Sequence, residues 1–172
     1  MPTFILQFSP GEIDALARRF PGGDDVRLRA IGAAVRTRGY YGREEFIEVC
    51  GWKTPRSRPK VASNGEASIA AATGRAIAAS DETTRITELL TLTGVGVPTA
   101  SVLLYCVFPA DYPILDVRAL ESLGVKPRSQ YPVSFWLDYL EACRELARQS
   151  GVSVRTLDKA LWEHSKERSG QS

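Results

Sequence analysis

The chain has 172 residues, 22 basic against 20 acidic, a net charge of +2 and 44% apolar side chains. That is the make-up of an ordinary globular protein, long enough for one well-buried domain or two small lobes, and its charge does not announce a nucleic-acid binder. No run approaches the roughly 18 apolar residues a membrane helix needs, and three scattered cysteines without a C-x-x-C exclude a disulfide framework and a cysteine-held zinc or iron–sulfur site.

The opening MPTFILQF carries neither the basic start nor the small-residue cleavage site of a secretory signal, so a reducing cytosol is the expected compartment. Strand-like alternation of useful length does not occur beyond these eight residues. Residues 9–20, SPGEIDALARRF, set Ser9 and Glu12 at capping-box spacing and put Ile13, Leu16 and Phe20 on one helical face. DDVRLRAIGAAVRTRG begins with acids, ends with bases and stops at Gly39, as a helix dipole and its C-cap prefer. GREEFIEVCGW predicts a shorter helix. The stretch 53–63, rich in Pro, Arg and Ser, reads as the one long loop; its Lys53, Arg56, Arg58 and Lys60 stand without an acid.

Asn64 is the expected cap of the alanine-rich helix that follows. DETTRITELLTL predicts an amphipathic helix, and PTASVLLYCVF an apolar one. The prolines of PADYPIL forbid continuation, and DVRALESLG starts a new helix at Asp116. Two amphipathic helices close the chain, PVSFWLDYLEACRELARQSG and SVRTLDKALWEHSKER, the second with Ser153 as its cap. The fold class expected is all-α.

Between the two middle helices lies TLTGVGVPT. Gly94 and Gly96 are expected to adopt backbone angles closed to other residues and to expose amides, while Pro98 is pre-set for a first helical turn. Successive N–H groups at a helix N-terminus attract an anion, and a DNA phosphate is the obvious large one. Ordinary turn glycines in an αα-hairpin would look the same, so the neighbouring residues decide.

Those neighbours, LLTLTGVGVPTASVLL followed by PADYPILDVRALESLG, resemble the helix–hairpin–helix DNA glycosylase superfamily over residues 86–124. The superfamily carries a Leu-Pro-Gly-Val-Gly hairpin, a Thr-Ala pair, an apolar helix and a Pro-Val-Asp. In its bifunctional branch the essential aspartate lies eighteen positions after a lysine. Here Pro98 stands in the lysine slot and Asp116 eighteen positions on. The resemblance implies a compact helical DNA-binding fold in one glycosylase-like unit, with the hairpin and catalytic segment at 82–124. It also implies hydrolysis of the N-glycosidic bond of a flipped, damaged base, with Asp116 stabilising the developing positive charge. Without the lysine, a Schiff-base lyase step through position 98 is unavailable. Departures at Thr93, Val117 and Arg118, together with the short chain, leave a non-catalytic helix–hairpin–helix module as the alternative.

By the same resemblance, Gly94, Val95, Gly96 and Thr99 would bind a phosphate, and the carbonyls of Leu90, Leu92 and Val95 a monovalent cation. No other cofactor is expected, and the four-cysteine cluster of one branch is absent. Lys53, Arg56, Arg58, Lys60 and Arg118 are the candidate DNA contacts. Tyr40, Tyr41 and Trp52 are the candidates for stacking on a base or wedging the gap, with Phe135 and Trp136 behind them. The partner expected is double-stranded DNA, bound by a monomer associated with the nucleoid. His164, the lone histidine, reads as a surface or packing residue.

Overall fold

In the computed structural model, which describes residues 2–171, the regular elements are all helices. They are α1 (Ile13–Arg19), α2 (Val26–Arg38), α3 (Arg43–Lys53), α4 (Arg58–Ala62), α5 (Glu66–Ala78), α6 (Glu82–Leu90), α7 (Val97–Val107), α8 (Val117–Ser122), α9 (Val133–Ser150) and α10 (Val154–Ser169). Short 3-10 turns occur at Pro10–Glu12 and Pro55–Ser57. No strand occurs among the described residues, and no helix there is long and apolar enough to cross a membrane.

The chain divides into two units, residues 25–109 and residues 1–24 with 110–172. The expected functional segment 82–124 is therefore shared between them: the glycine turn lies in the first unit and Asp116 in the second.

In the first unit α7 is the core. Apart from Pro98 every one of its residues is buried, which suits a sequence apolar all round. Helices α2, α3 and α6 pack against it. At the α2 crossing a side chain on Gly32 would lie 1.6 Å from the Cys106 carbonyl oxygen, so the two backbones touch and only glycine fits. The expected stop at Gly39 is realised in the left-handed region, φ 90°. At the other end of α2, Asp25 is left-handed as well, φ 55°, and its carboxylate accepts the Tyr105 hydroxyl at 2.7 Å. An aspartate tolerates that conformation at some cost, which the buried tyrosine bond helps to offset.

The second unit is built around α10, which packs against α1, α8 and α9. Trp136, Tyr139, Leu140 and Cys143 form the buried face of α9. The Ser9–Glu12 box forms as expected, although it starts a 3-10 turn that runs into α1. Ser153 caps α10 by accepting the Thr156 amide at 3.0 Å. The N-terminal segment is extended, and two of its amides, on Ile5 and Gln7, donate to the carbonyls of Leu123 and Ser122 at 2.9 Å.

Two local expectations are corrected. The stretch 53–63 is not a loop: Pro55 and Pro59 both sit in first turns, where proline's missing N–H costs nothing, and they start the 3-10 turn and α4. Gly65, not Asn64, occupies the N-cap of α5.

Candidate nucleic-acid interface and carboxylate

The turn between α6 and α7 is prepared by local chemistry. Asp81 caps α6 by accepting the Thr84 amide at 2.8 Å, and the chain then folds back with Val95 N–H donating to the Leu92 carbonyl at 3.2 Å. Gly94 is left-handed, φ 79°, and a side chain there would lie 2.8 Å from Lys60 Cβ and 3.0 Å from the Val61 nitrogen. Conformation and space both demand glycine. Gly96 differs from the expectation: at φ −95°, ψ 178° it is ordinary extended backbone, and an added Cβ would meet only Pro98 at 3.8 Å. What its missing side chain provides is open access to the exposed backbone at the start of α7.

Two of the four residues expected at a phosphate are turned inward. Thr99 is 4% exposed, so its hydroxyl belongs to the core around α7. The Val95 side chain is buried and its amide is spent inside the turn. Gly94 and Gly96 remain at the surface.

The same contact that requires a glycine at 94 brings the basic stretch to the turn. Lys60 lies against Gly94, and Arg56, Arg58 and Lys60 are exposed, while Lys53 is half-buried. Asn64 locks the arrangement: its side-chain amide donates to the Val61 and Thr93 carbonyls and its oxygen accepts the Thr93 amide, all at 2.9 Å. One side chain therefore satisfies both backbone groups of Thr93, at the foot of the turn. Sequence reading missed this role, because the partners are 29 residues apart and no spacing rule connects them.

The stacking candidates separate. Tyr41 is 1% exposed; its hydroxyl donates to the Leu103 carbonyl at 2.6 Å, and burial pushes its phenol well above the usual range. It is a core residue, as are Phe135 and Trp136. Tyr40 points outward beneath the Arg38 guanidinium, 5.2 Å from its ring centre. Trp52 is 49% exposed, next to Lys53 in the last turn of α3.

In the second unit Asp116 is the N-cap of α8. Its backbone is extended, φ −138°, ψ 147°, and its Oδ1 accepts the Arg118 amide at 2.9 Å. The residues delivering it, Tyr112 to Leu115, are buried. Both backbone groups of Ile114 are held by buried side chains: its N–H donates to Asp158 Oδ2 and its carbonyl accepts the Tyr139 hydroxyl, each at 2.9 Å. Burial pushes the Tyr139 phenol well up, so it stays a donor. The half-buried carboxylate thus sits on fixed backbone. Arg118 stacks over Trp162 at 5.2 Å and reaches Ser169 Oγ at 3.4 Å.

Among the described residues no group of three His, Cys, Asp or Glu is arranged to hold a metal ion. Comparison with protein-family models, curated proteins and solved structures finds no match.

Proposed function

We propose that the protein is a monofunctional DNA glycosylase that grips the duplex backbone through the α6–α7 turn and the basic residues of α4 and of the 3-10 turn before it. The observation that carries the DNA part is the contact of Lys60 with Gly94, locked by Asn64. Exposed Lys60 at an open helix start, with Arg56 and Arg58 exposed on the same basic stretch, attracts phosphate without reading sequence. The resemblance over residues 86–124 supplies the chemistry. Asp116, short and fixed through Ile114, suits a carboxylate that must face the oxocarbenium-like sugar of a flipped nucleotide without reorganising. Trp52 and Tyr40 are the rings exposed for stacking. The protein works as a monomer on a damaged or modified base.

A monovalent cation is implied by the same resemblance. Leu90 is the last residue of α6, where carbonyl oxygens carry the negative end of the helix dipole, Leu92 follows the Thr91 cap, and main-chain carbonyls are the oxygen donors that sodium or potassium takes. Leu90, Leu92 and Val95 would hold it, and its charge would stiffen the turn and favour a nearby phosphate. Pro98 leaves no amine at its position, so the product is an intact abasic site.

The second reading is a non-catalytic DNA-binding module, favoured by the use of the Asp116 carboxylate as an ordinary cap. Purified protein is incubated with duplexes bearing uracil, hypoxanthine, alkylated purines or 8-oxoguanine, and abasic sites are revealed with alkali. Base release from one of them supports the enzyme; DNA binding without release from any favours the module.

A further inference from the structure

A polar cavity of about 430 Å³ opens in the unit of α8 and α10. Glu121, Ser122, Lys126, His164, Ser165 and Arg168 line it. Its chemistry follows from one hydroxyl. Ser122 Oγ donates its only proton to the Leu161 carbonyl at 2.6 Å, yet lies 3.1 Å from His164 Nδ1. The nitrogen must therefore be the donor, which assigns the Nδ1–H form of the neutral ring and leaves Nε2 as a bare acceptor. The Phe8 ring lies against the imidazole at 4.6 Å. Ser165 donates to the Glu121 carboxylate, holding that acid at the rim.

The lining therefore offers two cations, one carboxylate acceptor and an imidazole nitrogen whose proton can come from either side. We infer that this cavity is a binding site for a phosphate monoester carried on a hydroxylated sugar. Lys126 and Arg168 attract the phosphate, while Glu121 accepts from sugar hydroxyls. A monoester titrates near pH 6, so it brings its own proton to a neutral Nε2 or accepts one from the protonated ring. Sulfate has no such proton, and ribose has no charge.

Binding is coupled to protonation. In the free protein burial and the Arg168 cation hold His164 below its ordinary value, while Glu12 and Glu167 act the other way. Glu167 is paired with Arg19, and Glu121 of α8 and Lys126 after it line the same cavity. A bound dianion favours the imidazolium, so the His164 pKa rises on binding and affinity increases as pH falls towards about 6, below which protonation of the monoester itself opposes the gain.

As the only histidine, His164 gives an unambiguous NMR signal. The test is titration of the whole protein with ribose 5-phosphate, with sodium sulfate at matched ionic strength and ribose as controls. Expected are a saturable shift of the imidazole resonances, a rise in the His164 pKa of about one unit, and affinity about twofold higher at about pH 6 than at about pH 7.5. Arg168→Gln and Lys126→Gln, both at exposed positions, should each weaken binding about tenfold. No shift at millimolar ligand, an equal response to sulfate or ribose, or undiminished affinity in both variants would overturn the assignment.

Discussion

Asp116 carries two separable roles, and one substitution tells them apart. Asparagine caps a helix about as well as aspartate, so Asp116→Asn should leave the melting temperature nearly unchanged. If the carboxylate stabilises a developing cation, single-turnover base release should fall about 10²–10³-fold, roughly 2.7–4 kcal/mol of barrier; equal rates would retire it as catalyst. At His164 the sign of the pH effect is fixed by its lowered pKa. The stability it contributes is fully present above the unfolded value of about 6.5 and is lost as pH falls through the lower folded value. Denaturant titrations over that range should show this loss in the wild type and less of it in His164→Asn. The cap at Asp116 was legible because capping is local, a matter of two or three residues. Tyr40 and Tyr41 were not separable, since adjacency in a turn does not say which ring enters the core. The buried partners of Tyr41 at Thr73 and Leu103 decide that, and both are distant in sequence.

Among the elements, the α6–α7 turn and α4 behave as one piece. Gly94→Ala asks for a left-handed alanine and pushes a methyl into Lys60 and Val61, so it should cost about 1–3 kcal/mol in a urea titration. Gly96→Ala, on ordinary backbone with space around it, should change stability by less than about 1 kcal/mol. Sequence periodicity located the long helices correctly, since a buried stripe repeats every turn whatever lies beyond it. It failed at α4 because five residues with one proline in their first turn show no stripe, and what orders them is contact with the turn. Asn64→Ala removes three hydrogen bonds and frees both groups of Thr93. DNA affinity in that variant should drop while the α7 core stays folded, a split that binding assays and circular dichroism together would reveal.

For the whole molecule, a net charge of +2 hides local concentration, and the expected signature is in salt dependence rather than total affinity. With Arg56, Arg58 and Lys60 each neutralising one phosphate, log affinity should fall with log salt at a slope of about −3, and Lys60→Gln should reduce that slope by about one. Binding that ignores salt would exclude the backbone-contact reading. The all-α class was visible in the sequence, but the division at residues 24–25 and 109–110 was not: no shift in composition marks either crossing. The three thiols give that division a practical meaning. Cys50 and Cys106 are fully buried in one unit and Cys143 in the other, with burial raising the Cys50 pKa to about 12 and that of Cys143 well up. A maleimide in solution can alkylate them only during an opening event, so the chain carries its own clocks for breathing motions. Peptide mapping over time reads them separately: a shared labelling rate means that the units open in concert, and a fast Cys143 beside slow Cys50 and Cys106 means that the terminal unit opens alone.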